Sequence, residues 1–203
     1  MRSVAPWNLA NPVLNVPQGD QLALLEQARV VLAEAPLVRP RTPNNMPMRV
    51  RVSAAGRLGW VGDGAYRYSP TQRDGRPWPA MPKAWSDLAS YVAQADLRWD
   101  SAIINWYDEG ASLGWHRDAS EVDTTLPIVT VSLGDSCSWA VRDWSGGIHR
   151  VRLDSGDVTL LADQTRNLEH TVERIIPAPL FSPLQHKRGR VSITIRVAGD
   201  PHA

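Results

Sequence analysis

From residue 100 onward, the sequence is divided into short segments that each have the composition of a β-strand. Gly-containing turns, such as Leu133-Gly134-Asp135 and Ser145-Gly146-Gly147, separate several of these segments. The predicted strands are Ala102–Tyr107, Pro127–Leu133, Cys137–Arg142, His149–Leu153, Asp157–Leu161 and Arg190–Arg196. Many short strands with turns at this spacing are typical of a β-sandwich or a jelly roll.

Two helices are predicted before these strands. The first begins at Asp20, which can cap it, and runs to about Ala35 before Pro36 ends it. Its predicted buried stripe consists of Leu22, Leu25, Ala28 and Leu32. The second opens at Pro82 and runs to about Ala95, with a buried stripe of Trp85, Leu88 and Val92. The predicted fold class is therefore mainly β with flanking helices (α+β).

Length and composition indicate one soluble domain. A chain of 203 residues is long enough for one full hydrophobic core. The formal net charge is only +1, so any nucleic-acid contact requires a local basic patch. Cys137 is the only cysteine, which excludes an intrachain disulfide and fits a reducing cytosol. Prolines interrupt the first residues, and we expect neither a signal peptide nor a membrane span.

The pair His116-x-Asp118 is a candidate half of a metal site. Side chains at positions i and i+2 of a strand point to the same face, so an imidazole and a carboxylate at this spacing can reach one ion. A third ligand must come from elsewhere, and the best candidate is His170, on a second strand that could cross the first. Two histidines and one carboxylate form the facial triad of non-haem Fe(II) oxygenases. The His-x-Asp spacing alone arises easily by chance.

The segment Arg190–Arg196 alternates strictly between polar and apolar residues, which predicts a half-buried strand. Its polar face would consist of Arg190, Ser192, Thr194 and Arg196. An arginine on that face could hold a carboxylate through two parallel hydrogen bonds. A dicarboxylic cosubstrate could then bind this arginine with one end and chelate iron with the other. Taken alone, the strand would suit an ordinary surface position, but the upstream triad favours the cavity.

Residues 48–70 mix basic and aromatic side chains on what reads as a hairpin or a pair of short strands. The basic members are Arg49, Arg51, Arg57 and Arg67, and the aromatic members are Trp60, Tyr66 and Tyr68. This mixture suits a surface that holds phosphates and stacks a base. An exposed edge strand with solvated arginines explains the same residues equally well.

A series of motifs along residues 48–196 carries a resemblance to a known family. The motifs are Leu58-Gly59-Trp60, Tyr66-x-Tyr68-Ser69-Pro70, Arg76-Pro77-Trp78-Pro79-Ala80-Met81-Pro82, Ile104-Asn105-x-Tyr107, His116-x-Asp118, Ile128-Val129-x-Val131-Ser132-Leu133-Gly134, Gly156-Asp157-Val158 and Arg190-x-Ser192-x-Thr194-x-Arg196. Because they recur in order along most of the domain, the sequence resembles the bacterial AlkB family.

The resemblance implies a double-stranded β-helix dioxygenase that uses Fe(II), 2-oxoglutarate and O₂. It would hydroxylate an N-methyl group on a damaged base, and formaldehyde would then leave. By this analogy the iron ligands are His116, Asp118 and His170. The 2-oxoglutarate contacts would be Asn105, Tyr107, Arg190, Ser192 and Arg196, with Arg190 on the distal carboxylate. Contacts to the nucleic acid would come from Arg51, Trp60, Tyr66 and Ser120, with Trp60 stacked on the base.

The resemblance also implies a division of the chain. Residues 1–47 would form an N-terminal arm and a supporting helix, residues 48–80 a nucleotide-recognition lid, and residues 81–203 the double-stranded β-helix core. Three features depart from the family pattern: Ser192 replaces an asparagine, Ser120 replaces an aspartate that reads the amino group of the base, and Trp139–Trp144 is unlike the expected segment. Glu121 or Asp123 could read the amino group of the base in place of the aspartate that Ser120 replaces.

The leading hypothesis is oxidative demethylation of N-methylated bases of the 1-methyladenine and 3-methylcytosine type in DNA. Its products would be formaldehyde, succinate and CO₂, and the enzyme is expected to act as a cytoplasmic monomer without membrane attachment. The same chemistry on RNA or tRNA bases is an alternative, since the lid sequence does not reveal sugar preference. Less favoured are a 2-oxoglutarate oxygenase of small molecules and a jelly-roll binding module with a vestigial metal site.

Overall fold

The computed structural model describes residues 11–178 and 188–201. Two α-helices lie in this part of the chain: α1 (Gln18–Glu34) and α2 (Lys83–Ala93). The strands are β1 (Leu14–Asn15), β2 (Arg51–Gly56), β3 (Gly59–Gly62), β4 (Tyr66–Ser69), β5 (Ser101–Tyr107), β6 (Leu113–His116), β7 (Ile128–Gly134), β8 (Ser136–Arg142), β9 (Ile148–Leu153), β10 (Asp157–Leu161), β11 (Glu169–Ile176) and β12 (Arg190–Arg196). The first ten residues of the predicted arm lie outside this description.

The strands form two antiparallel sheets and one separate hairpin. The major sheet has six strands in the order β1-β10-β7-β12-β5-β2, and the minor sheet has four in the order β6-β11-β8-β9. Strands β3 and β4 pair only with each other. Two sheets plus flanking helices confirm the predicted mainly-β jelly roll.

The hydrophobic core has one part on each face of the major sheet. The first part packs α1 and α2 against one face, to which β12 contributes Val191, Ile193 and Ile195. The second part lies between the two sheets and includes Ile103 and Tyr107 of β5. Successive side chains of a strand point to opposite faces of the sheet. The strict alternation of Arg190–Arg196 therefore gives β12 an apolar face toward the helices and a polar face toward the space between the sheets.

Helix α1 buries a different stripe from the predicted one. Its buried residues are Gln21, Leu24, Leu25, Ala28 and Val31. The prediction that Leu22 is buried is wrong, since this residue is 44% exposed. A polar residue takes the buried position because the Gln21 amide donates to the carbonyl of Val16 at 2.7 Å and accepts from the Ser155 hydroxyl at 2.7 Å. Hydrophobic periodicity cannot reveal a buried position that hydrogen bonds satisfy.

The segment predicted as a lid has two structural parts. Strand β2 is an edge strand of the major sheet, paired with β5, whereas β3 and β4 form the separate hairpin. The division into arm, lid and core stays a prediction. Neither helix in the described residues has the length and apolar character that crossing a bilayer requires.

We expect the substitution Ile193→Ala to lower the free energy of unfolding by roughly 2–5 kcal/mol, because it leaves a cavity in a fully buried position between the sheet and the helices. Denaturant unfolding followed by circular dichroism measures this loss. The control is Val30→Ala, at a position that is 59% exposed, which should change stability by less than about 0.5 kcal/mol. Equal stability of the two variants would contradict this description of the core.

Candidate metal and cosubstrate site

A cavity of about 510 Å³ opens between the two sheets, next to the β3–β4 hairpin. The structure brings nearly all of the predicted site residues to its walls: Trp60, Tyr66, Asn105, Tyr107, His116, Asp118, Ser120, His170, Arg190, Ser192 and Arg196. Arg51 is not among the residues that line this cavity. Its guanidinium pairs instead with the carboxylate of Asp108, at 2.6 Å.

Strand pairing assembles the two histidines and the aspartate. Strands β6 and β11 run antiparallel, and His116 lies directly opposite His170 in their register. Asp118 follows the end of β6; its Oδ1 atom lies 3.9 Å from Nε2 of His116, and its Oδ2 atom lies 3.9 Å from Nε2 of His170. One potential ligand atom from each residue lies within 4.8 Å of the other two. This spacing fits the coordination of a single metal ion.

Backbone carbonyls orient both imidazole rings. The Nδ1 atom of His116 lies 2.8 Å from the carbonyl oxygen of Gly114, and Nδ1 of His170 lies 3.1 Å from that of Leu168. Since a carbonyl only accepts, Nδ1 carries the proton in each ring, and the Nε2 lone pairs remain available to a metal. Burial lowers the pKa of His170 to about 4, so this ring is neutral at pH 7, as a metal ligand must be.

The Asp118 carboxylate is held in its ionised form. Burial alone would raise its pKa, but the nearby Arg196 guanidinium, together with His170 and His116, outweighs burial and holds the pKa far below its usual range. Nη2 of Arg196 lies 3.1 Å from the Asp118 carboxylate. The same charge interaction raises the pKa of Arg196 despite the burial of its side chain. A charged carboxylate, which is the form that binds metals, is therefore present before any ion arrives.

Glu121 and Arg166 complete a buried ionic network behind Asp118. Arg196 donates to one carboxylate oxygen of Glu121, and Nη2 of Arg166 lies 3.3 Å from the other. Arg166 also donates to the backbone carbonyl of Asp118 at 2.7 Å. The hydroxyl of Tyr68, on the hairpin, donates to Glu121 at 2.9 Å. These donors occupy both carboxylate oxygens of Glu121, and its side chain is only 1% exposed. Glu121 is therefore not available to read the amino group of a base.

Sequence reasoning did not identify the role of this network. Arg166 lies in a polar loop with no periodic pattern, and nothing in its neighbourhood distinguishes it from a solvated arginine. The sequence indicates Tyr68 only as an aromatic residue of the hairpin and as part of the motif Tyr66-x-Tyr68-Ser69-Pro70. A charged residue that the fold buries completely carries no local signal, because its partners come from distant segments.

Arg190 presents an unsatisfied guanidinium to the cavity. Its side chain is buried, and its Nη2 atom donates to the Ser132 hydroxyl at 2.8 Å. The Cζ atom of its guanidinium lies 5.0 Å from the ring centroid of Tyr107. Its Nε and Nη1 atoms have no hydrogen-bond partner among the described residues. Leaving buried N–H groups unpaired is costly, and a carboxylate is the acceptor that fits a guanidinium best. The cavity wall therefore suits an acid of the 2-oxoglutarate type.

Neutral polar groups lie beside this guanidinium. The amide nitrogen of Asn105 lies 3.4 Å from the hydroxyl of Ser192, directly opposite it on the paired strand. Burial raises the pKa of Tyr107, so its hydroxyl stays protonated. This part of the cavity thus offers uncharged hydrogen-bonding groups beside the positive charge of Arg190, which suits an anionic ligand.

The mouth of the cavity carries aromatic side chains. The rings of Trp60 and Tyr66 lie with their centroids 5.1 Å apart on the hairpin. Trp139, from the segment that departs from the family pattern, also lines the cavity, with its ring centroid 6.1 Å from that of His170. Trp144, at the other end of that segment, is 67% exposed. Ser120 lines the cavity and is exposed.

Comparisons with known proteins agree with this geometry. Residues 11–196 match the family model of the 2OG-Fe(II) oxygenase superfamily. The alpha-ketoglutarate-dependent dioxygenase AlkB homolog of Caulobacter vibrioides is 36% identical over 208 residues, which covers 94% of this chain and 92% of that protein. AlkB of Escherichia coli K12 is 32% identical and covers 87% of this chain and 84% of its own length.

A solved structure shows the same fold. The structure of OsALKBH1 superimposes with a TM-score of 0.79 and covers 97% of this chain and 99% of its own, at 22% sequence identity. The family match extends over most of the sequence, and the histidine–aspartate cluster lies in the cavity that the fold creates. The chain belongs to the AlkB family of the 2OG-Fe(II) oxygenase superfamily, and it is an Fe(II)- and 2-oxoglutarate-dependent dioxygenase.

Proposed function

We propose that this dioxygenase removes N-methyl groups from alkylated bases in nucleic acid, with DNA as its main substrate. One observation carries the proposal: a single cavity joins the metal-binding cluster to the aromatic pair Trp60 and Tyr66 at its mouth. An enzyme that acts on a base must take it out of the stack and hold it between flat side chains. Aromatic rings beside an oxidising centre match that requirement.

Two sets of cavity residues hold the iron and the cosubstrate under this proposal. The iron ligands are His116, Asp118 and His170. Arg190 binds the distal carboxylate of 2-oxoglutarate, with Asn105, Tyr107 and Ser192 as its polar neighbours. When bound, the iron and 2-oxoglutarate supply O₂-dependent oxidation of the methyl group, which simple hydrolysis cannot remove.

The protein orients these groups before substrate arrives. The carbonyls of Gly114 and Leu168 fix the two imidazole rings, and Arg196 fixes the carboxylate of Asp118. Tyr68 ties the hairpin to the buried ionic network, so the hairpin that carries Trp60 and Tyr66 is held beside the cavity. Preorganisation of this kind avoids the cost of ordering the site during the reaction.

The proposal extends to the setting of the enzyme. Nucleic acid is its partner, and the protein acts as a monomer in the cytoplasm. The lone, buried Cys137 suits a reducing compartment.

The substitution His170→Ala should weaken metal binding by more than about a hundredfold, because an incomplete triad holds a divalent ion poorly. Calorimetric titration with Mn(II), a redox-stable substitute for Fe(II), measures this affinity. The control is His149→Ala, since His149 pairs with Asp143 outside the cavity. Unchanged Mn(II) affinity in the His170 variant would remove this residue from the ligand set.

The substitution Arg190→Lys should raise the KM for 2-oxoglutarate by about tenfold or more, because an ammonium group cannot form the two parallel hydrogen bonds of a guanidinium. Succinate formation at increasing 2-oxoglutarate concentration gives this value. Arg152→Lys, at a surface ion pair with Asp154, is the matched control. If the requirement for 2-oxoglutarate stays constant, the carboxylate binds elsewhere.

The purified protein, supplied with Fe(II), 2-oxoglutarate and ascorbate, should release formaldehyde from oligonucleotides that contain 1-methyladenine or 3-methylcytosine. The same lesions in DNA and RNA establish the sugar preference. Trp60→Ala should reduce this release while leaving the affinity for 2-oxoglutarate intact, because Trp60 belongs to the substrate side of the cavity. Full activity of that variant, or turnover that does not require nucleic acid, would favour a small-molecule oxygenase instead.

A further inference from the structure

Two large aromatic side chains, Trp115 and Trp144, lie outside the core on or beside strands of the minor sheet. Trp115 is 37% exposed and Trp144 is 67% exposed. Trp115 precedes the metal-cluster residue His116 on β6, whereas Trp144 belongs to the turn between β8 and β9. Burial in the hydrophobic core therefore does not account for these two tryptophans.

A guanidinium lies against each of these rings. The carbon atom of the Arg142 guanidinium is 4.4 Å from the Trp115 centroid, and that of Arg117 is 5.9 Å from the Trp144 centroid. Glu169 lies between the two arginines, 2.5 Å from Arg142 and 3.8 Å from Arg117. The side chains Trp115, Arg117, Arg142 and Trp144, named the rim surface, are thus held in one arrangement by ionic and cation–π contacts.

The rim surface is continuous with the cavity. Trp115 and Arg117 flank His116 in the sequence, and all three residues contribute to the cavity wall. On β11, Glu169 precedes His170, so the carboxylate that holds the two arginines adjoins the second histidine of the cluster. A chain molecule with one unit inside the cavity can therefore contact Trp115 and Arg117, the two members of the rim surface that line the cavity.

We propose that the rim surface binds the single-stranded nucleic acid that flanks the target base. Exposed indole rings stack on bases of any sequence, and arginines attract the phosphate backbone. The two arginines and Glu169 together carry a net charge of +1, so stacking contributes more to the affinity than phosphate pairing. This inference rests on the proposed function, since it assigns the path of the same substrate beyond the cavity.

The proposal also gives a role to a segment that the family resemblance leaves unexplained. Arg142 and Trp144 both belong to Trp139–Trp144, which departs from the expected pattern. In this chain, that segment supplies one partner to each of the two aromatic–cation pairs.

The test compares Trp144→Ala with the wild-type enzyme on two substrates that carry the same methylated base, a trinucleotide and a single strand of about 15 nucleotides. We expect kcat/KM for the longer strand to fall about tenfold, because one base loses its stacking partner. The value for the trinucleotide should stay within about twofold of that of the wild type. Trp144→Phe should restore most of the loss, since a phenyl ring also stacks.

Binding of the unmethylated strand, followed by fluorescence anisotropy, tests the surface without requiring turnover. The control is Tyr91→Ala, which removes an aromatic ring that is 72% exposed. Tyr91 lies on α2, which packs against the face of the major sheet that points away from the cavity. Its affinity for the strand should equal that of the wild type.

Two results would overturn the inference: equal losses on the trinucleotide and the longer strand, or unchanged strand affinity in Trp144→Ala. Both can occur in an enzyme that releases formaldehyde normally, which would leave the proposed function intact. Conversely, a wild-type protein that binds strands through Trp144 but releases no formaldehyde would contradict the proposed function alone.

Discussion

The metal cluster depends on a carboxylate that stays charged inside the protein, and the Arg196 guanidinium is its main partner. Moving a charge from water into the interior is costly unless a partner of opposite sign and further hydrogen bonds compensate for it. Arg196 lies against both Asp118 and Glu121, and Arg166 supports both residues from the other side. The four side chains carry two charges of each sign, so the network is neutral as a whole.

Two strands that line the cavity, β5 and β12, also form the core, because each has apolar side chains on one face and polar side chains on the other. Strand β12 places three apolar side chains against the helices and lines the cavity with four polar ones. Strand β5 divides in the same way, with Ile104 toward the helices and Asn105 toward the cavity. Groups on paired strands hold their positions better than groups on loops. The sheets therefore set the positions of His116, His170 and Arg190.

Regular alternation made part of this molecule predictable. Strand β12 has the bounds predicted for Arg190–Arg196. His116 and Asp118 lie in one cluster as predicted, but β6 ends at His116, so Asp118 follows the strand and does not belong to it. The strands that carry His116 and His170 are expected from the metal-site argument and not from their own composition, because β6 is short and β11 mixes charged and apolar residues. The position of Arg51 depends on its ion pair with Asp108, which is distant in sequence, so no local pattern could reveal it.

The direct pairing of His116 with His170 has a consequence for how this fold can vary. The distance between the two imidazoles depends on strand register and is independent of the length of chain that connects them. Surface turns between these positions, such as the one that carries Trp144, can therefore gain or lose residues without displacing the ion. A slip of one residue within either strand, by contrast, would turn one imidazole to the opposite face of the sheet. New substrate preferences can thus arise through loop length while the oxidising chemistry is inherited unchanged.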